Sequence, residues 1–388
     1  VSSKKKILIL SSYGGYGHMA AANTLKTLLS KHYEIDVVYP IKELRLCGLR
    51  HSEALYNYFL SKNCNRFTNW YVRYLGVPVL RMKGKKLERL VQEYIKKKQS
   101  DIVISLIPLV NHPTSVATYR MGVPFLIVTT DNDLTNWIGD LEKTKHHQFK
   151  VSIGADLPTT KGALLSKKIP EKEILQVGLP LRPEFFQLPS KIQMRAKYSI
   201  PSGKNVILLM MGGAGASLSL RYVKVLAQSK DNLHLVVCSG RNQKLAKKLC
   251  AIHLGAGNTM EVVPFTENVH ELFALADLLI TKPGPGTINE AISCKLPILI
   301  DRINTPIFWE EANIDLVLQT GIGDCIKHVE DLPQMVHRFL FDEQLRESIT
   351  RSYASLPKNQ FAERIQPLIE EMIGEMIPSE AIASSSNV

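Results

Sequence analysis

The chain has 388 residues, 45% of them apolar and 22% charged, with a formal net charge of +12. That length exceeds one ordinary core and implies two domains, and no apolar run approaches the ~20 residues a membrane-spanning helix needs. Six scattered cysteines (Cys47, Cys64, Cys238, Cys250, Cys294, Cys325) form no C-x-x-C pair, so neither a zinc site nor a disulfide framework is expected, and the thiols read as small core residues. The opening VSSKKKILIL carries too short an apolar segment for a signal peptide.

In chain order, KKILILSS reads as a buried strand, followed by a helix from about His18 to His32 and a second strand, EIDVVYP. A mostly helical region covers about Glu53 to Lys98, interrupted near Gly76–Pro78. DIVISLIP is a strand, Pro113 to Met121 a short helix, and VPFLIVTTD, FKVSIGA and EILQVGLP are further strands. Short β-rich runs alternating with helical patterns predict a parallel sheet covered on both faces. The second half repeats the style, with NVILLMMGG, a helix from Ser217 to Gln228, then LHLVVCSG, TMEVVPF, ADLLITKPG and LPILID. Three prolines (Pro180, Pro183, Pro189) mark the join. The domains are therefore expected over 1–182 and 183–360, with 361–388 forming a helix that packs back on the first domain and a disordered tail. Two doubly wound domains place a ligand at the carboxyl ends of their sheets, in a cleft between them.

Two glycine loops carry the chemistry. Gly15-Tyr16-Gly17-His18-Met19-Ala20 fits the dinucleotide pattern G-x-G-x-x-A. An NAD site also needs an acidic residue ending the second strand, and here that strand ends in Tyr39-Pro40 with Asp36 near its start. The loop alone leaves two other readings open: a tight turn, or a backbone that admits an acceptor with His18 as general base. The second loop, LLITKPGPGTINEA, runs from Leu278 to Ala291. Gly284-Pro285-Gly286 makes a turn and Thr287 opens a helix, whose free N–H groups suit a diphosphate. Thr287 offers a hydroxyl to phosphate, and Glu290, one turn inward, accepts from ribose hydroxyls. A plainer reading makes Gly-Pro-Gly an ordinary turn and Lys282 a solvated charge.

KPGPGTINEA resembles the donor-binding loop of family 28 glycosyltransferases, which include the monogalactosyl- and glucosyl-diacylglycerol synthases. SSYGGYGHMAAA, TTDNDLTNW (Thr129 to Trp137), QVGLPLRPEF (Gln176 to Phe185), MMGGAGAS (Met210 to Ser217) and VVCSGRNQKL (Val236 to Leu245) agree in order. The resemblance implies an α/β GT-B fold, two doubly wound Rossmann-like domains facing across a cleft. It implies His18 as the base of an inverting displacement, with Asp131 orienting it or sharing its role, and Gly14, Gly15 and Gly17 making room for the acceptor. On the donor side it implies Gly213, Gly215, Arg182 and Arg241 at the diphosphate, beside Gly284, Gly286 and Thr287. Phe265 falls at the uracil, Glu290 at the ribose, and Glu311 and Asn313 at the sugar. No metal or other cofactor is expected. Asp131-Asn132-Asp133 superficially matches D-x-D, but it lies in the acceptor half.

The basic excess is confined to the first half. Residues 1–180 hold 27 Lys and Arg against 14 Asp and Glu, whereas 181–388 hold 21 against 22. Residues 45–98 concentrate 13 of those cations among aromatic side chains. Arg66, Trp70, Arg81, Lys83, Lys85 and Lys86 are accordingly expected to meet an anionic membrane surface, though a solvated helical face with ordinary core aromatics would carry the same residues. The expected partners are a UDP-sugar, a lipid acceptor and that surface, without nucleic acid, on the cytoplasmic face of the cell membrane. Transfer to a lipid-linked peptidoglycan or polyprenyl intermediate, a nucleotide-sugar epimerase and a non-catalytic nucleotide-sugar binder remain alternatives. The sugar, the acceptor and the oligomeric state stay open.

Overall fold

A computed structural model describes residues 4–14, 16–44, 53, 58–59, 64–144, 149–212 and 217–374. Gly15, Gly213, Gly215, Cys47 and the expected tail from 375 onward lie outside the described residues. The chain divides into two compact units. One comprises Val1–Phe59, Phe67–Pro183 and Lys358–Val388, the other Leu60–Arg66 and Glu184–Pro357.

The first unit holds β1 (Lys6–Leu10), β2 (Glu34–Val38), β3 (Ile102–Ser105), β4 (Phe125–Val128), β5 (Phe149–Ile153) and β6 (Ile174–Gln176). They pair in parallel in the order β2-β1-β3-β4-β5-β6. Because successive strand residues face opposite sides, β1 divides its apolar run between two cores. Leu8 and Leu10 pack with Phe125, Trp137 and Val91. Ile7 and Ile9 pack with Leu25, Leu29 and the Phe361–Gly374 helix, through Phe361, Ile365 and Ile369.

The second unit holds β7 (Asn205–Met210), β8 (Leu233–Gly240), β9 (Thr259–Pro264), β10 (Leu278–Thr281), β11 (Ile298–Asp301) and β12 (Gly323–Ile326). Their order is β12-β11-β10-β7-β8-β9, all parallel. Both sheets are doubly wound, and their strand order reverses between β1 and β3 and between β7 and β10. Ligands of such sheets bind at the carboxyl ends beside that reversal.

Three expectations are corrected. The helical region is not interrupted at Gly76–Pro78: the Asn65–Tyr71 helix runs through a wider π turn, Val72–Gly76, into Val77–Met82. Pro78 stands in the first turn of that last segment, where its missing N–H costs nothing. The backbone leaves helical geometry later, at Lys83, before the Gly84–Lys98 helix. The cysteines are not uniformly core residues, since Cys64 and Cys250 are exposed while Cys238 and Cys325 are buried. Strand β12 has no counterpart in the sequence reading.

Candidate active site

In the first unit the chain leaves β1 at Ser11 and enters the Tyr16–Leu29 helix, so Gly17 and His18 lie in its first turn and not in a loop before it. A carboxylate shapes this crossing. Glu53 accepts from the Ser12 hydroxyl at 2.5 Å and the Tyr13 N–H at 3.0 Å, and the Gly14 N–H donates to Ser12 Oγ at 2.9 Å. A Cβ at Gly17 would meet nothing within 4 Å, so the chain's own packing does not require glycine there.

His18 is half-buried, with its main-chain oxygen accepting from Ser11 Oγ. Its Nδ1 lies 3.2 Å from Thr130 Oγ1 at the exit of β4, and its ring stands 6.2 Å from that of buried Trp137. The oxygen placed on the imidazole is thus Thr130, which the sequence reading missed. Asp131, the expected orienting residue, is the next position along and is buried. Asp133 is occupied locally, accepting from the Thr135 N–H at 2.9 Å. Desolvation lowers the His18 pKa from 6.5 to about 4, against a smaller upward pull from the Leu106 backbone. The imidazole is therefore neutral, the form that accepts a proton, throughout the physiological range.

This shift has a measurable consequence. Above pH 6.5 the ring is neutral both folded and unfolded. As pH falls from 6.5 toward 4 the unfolded chain binds the proton first, so stability is lost across that window and levels off below it. In chemical denaturation His18→Gln should lose less stability than the parent chain between those pH values. Equal losses would show that His18 is not held in its neutral form.

In the second unit β10 ends at Thr281, whose hydroxyl donates to the Met210 carbonyl at the end of β7, 2.7 Å away. The helix begins at Pro285, two residues before the expected Thr287, with Gly284 as its N-cap. Proline suits the first helical position because that N–H has no intrahelical partner. Its N-cap, Gly284, has no side chain with which to cap this terminus. Gly286 is exposed with open space at its Cβ position, and Thr287 is half-buried. Asn289 donates back to the Pro285 carbonyl at 2.8 Å. Glu290 is buried one turn inward, beside Cys294, whose thiol pKa is raised by desolvation and then by that carboxylate.

The remaining predicted donor residues fall into two groups. Arg241 and Phe265, at the ends of β8 and β9, come together with the guanidinium 3.8 Å above the ring. The Phe265 N–H is already taken by the Gly240 carbonyl at 3.0 Å. Asn313 is fully buried and its amide donates to the Pro283 carbonyl at 3.0 Å, so it braces the glycine loop. Glu311 pairs with Arg302. Arg182 is half-buried near the end of the first unit's second segment. The dinucleotide reading loses its acid altogether, because Asp36 accepts from Lys98 at 2.6 Å.

The expected membrane residues are mostly exposed. Arg66, Trp70, Lys85 and Lys86 face solvent, Lys83 is half-buried, and Arg81, though exposed, stands 3.7 Å from Asp140. Arg81 is thus a partnered cation. Trp70 belongs to an aromatic group, with Phe67 at 5.6 Å and Phe59 4.5 Å beyond it. Tyr74, Leu75 and Met82 are also exposed.

The glycosyltransferase family 28 C-terminal domain matches residues 206–300, which span β7 to β11 and both reversal-point loops. A processive diacylglycerol beta-glucosyltransferase of Bacillus licheniformis is 26% identical over 384 residues, 94% of each chain. A probable chloroplastic monogalactosyldiacylglycerol synthase of Glycine max is 30% identical over 358 residues, 86% of this chain and 64% of that one. The crystal structure of MurG from Acinetobacter baumannii superposes with a TM-score of 0.65 at 17% identity, covering 95% of this chain and 100% of that one. Two parallel six-stranded units of this kind define the GT-B fold of glycosyltransferases. Residues 206–300 thus carry the match to the family 28 C-terminal domain, and the relatives along the rest of the chain are diacylglycerol glycosyltransferases.

Proposed function

We propose that the chain is an inverting hexosyltransferase that moves a sugar from a UDP-sugar to the free hydroxyl of 1,2-diacylglycerol at a membrane surface. The observation that carries the reading is a neutral, half-buried imidazole in the helix that follows β1, in a chain whose other unit follows β10 with a glycine-capped helix terminus. The names of the relatives supply the acceptor class.

In this reading His18 takes the proton of the acceptor hydroxyl as its oxygen attacks the anomeric carbon. The bond from that carbon to the diphosphate breaks, UDP departs and the configuration inverts. Thr130 on Nδ1 fixes the ring orientation. The charge that develops on the leaving diphosphate is met by protein groups, the Gly284–Thr287 helix terminus and arginines, with no metal or other cofactor invoked. Glu290 takes the ribose and Phe265 the uracil.

In this reading membrane contact is peripheral and on the cytoplasmic face; no helix among the described residues is long and apolar enough to cross a membrane. The exposed Trp70 and Tyr74 supply apolar area, and Lys85 and Lys86 supply charge. Because both aromatic rings are exposed, a Trp70→Ser, Tyr74→Ser double variant should fold normally and lose roughly tenfold or more in binding to anionic vesicles. Unchanged sedimentation with vesicles would remove this face from the proposal.

The reading is tested by offering labelled UDP-glucose, UDP-galactose and UDP-N-acetylglucosamine in parallel, with liposomes of diacylglycerol and anionic lipid. Label in the lipid fraction from one donor identifies the class and the sugar together. UDP binding with no lipid label from any donor would eliminate diacylglycerol as the acceptor.

A further inference from the structure

Lys282 is the first residue beyond β10, at the point where the strand order of the second sheet reverses. It is not the loose surface charge its position after a strand suggests. Its ammonium lies 2.6 Å from Glu310 Oε1, and its stem is flanked by two glycines. A Cβ at Gly212, which follows β7 with φ +92°, would sit 3.3 Å from Lys282 Cε. A Cβ at Gly284, the N-cap of the Pro285–Ser293 helix, would sit 3.3 Å from Lys282 Nζ. The lysine therefore runs between the two loops that meet at the reversal point, and its charge stands beside a helix terminus whose N-cap is a glycine.

The two partners differ in access. The Lys282 side chain is 42% exposed and that of Glu310 only 8%. A ligand can reach the ammonium but not the carboxylate. Glu310 is anchored from its other oxygen, which accepts from the Ile307 N–H at 3.4 Å.

We propose that Lys282 is a diphosphate-binding residue of the donor site, and that Glu310 is the counter-charge with which the diphosphate competes for it. This rests on the donor reading given above. A buried carboxylate needs a cation for its own sake, so a purely structural ion pair is the rival account, and the test must separate the two. A contact to phosphate affects ligands that carry phosphate. A bracing role affects every ligand of the unit.

The experiment is calorimetric titration of the full chain with UDP and, separately, with uridine. In Lys282→Met, which keeps an apolar stem between the two glycines, UDP affinity should fall tenfold or more with uridine affinity unchanged. Glu310→Gln, which frees the lysine, should bind UDP more tightly and uridine as before. Should Lys282→Met fold poorly because Glu310 is left unpaired, the double variant Lys282→Met, Glu310→Gln removes both charges and should show the same selective loss of UDP. Equal weakening of both ligands, or no weakening of either, would overturn the role of Lys282. UDP binding to Glu310→Gln that is unchanged or weaker would overturn the competition. Failure of the parent chain to bind UDP at all would instead bring down the donor reading itself.

Discussion

Replacing His18 by alanine is expected to lower sugar transfer by about 10²–10⁴-fold, the usual worth of a positioned general base, while leaving UDP affinity unchanged. The separation of effects follows from where the residue sits. His18 is in the first turn of a first-unit helix, with its imidazole against Thr130 and Trp137. Apart from Arg182, the proposed donor contacts are carried by the second unit, among them those at the ends of β8, β9 and β10. With a pKa lowered to about 4, the imidazole needs no deprotonation before it acts, and its protonation removes activity only well into the acid range. The same low pKa makes it a modest proton sink. In the proposed reaction a weak base suffices, because the proton would move as the anomeric bond breaks, when the hydroxyl is far more acidic than in the free lipid. Single-turnover rates with saturating UDP-sugar isolate this step. If His18→Ala kept most of the rate, buried Asp131 would become the base.

Which parts of this were legible in the sequence depends on how far apart the cooperating residues lie. The strands were readable because both faces of each sheet are covered, which turns β1 and β7 into unbroken apolar runs. Strand β12, GDCI, escaped because a glycine and an aspartate open a four-residue edge strand, leaving neither a run nor an alternation to count. The π turn at Val72–Gly76 escaped because glycine and proline in succession signal a break unless the backbone widens to carry them. Within the site, Glu290 and His18 could be placed because each lies within a few residues of its glycine loop. The groups that hold the loops could not. Thr130 reaches His18 across 112 positions, Glu53 reaches Ser12 across 41, and Glu310 reaches Lys282 across 28. Local pattern carries no information about such pairs. They arise from strand order, which sets the exits of β1 and β4, and of β10 and β11, on the same edge of their sheets.

The second large effect is expected at Glu290, where glutamine should weaken UDP binding about 10–100-fold, the worth of a hydrogen bond to a charged group. Glu290 lies in the Pro285–Ser293 helix, flanked by fully buried Ile288 and Ala291. The helix is thus fixed to the core, and the carboxylate is carried at a set height above the terminus proposed for the diphosphate. Glu290 is buried, and a hydrogen bond to a charged group away from water is stronger than one in solvent, so ribose hydroxyls donating to it should contribute strongly. Glutamine keeps the size of the side chain but replaces one acceptor with a donor, so one of the two hydroxyl contacts is lost and the other loses its charge. A substrate with the 2′-hydroxyl removed makes the test specific. The parent chain should prefer UDP over 2′-deoxy-UDP, and Glu290→Gln should narrow that preference, because the charged acceptor that distinguishes them has gone. Uridine should weaken along with UDP in this variant, which is the reverse of the pattern expected for Lys282→Met. A Glu290→Gln protein that discriminated against the deoxy ligand as strongly as the parent would place the ribose elsewhere on the unit. The two variants together divide the nucleotide along its length, one sensing the sugar ring and the other the phosphates.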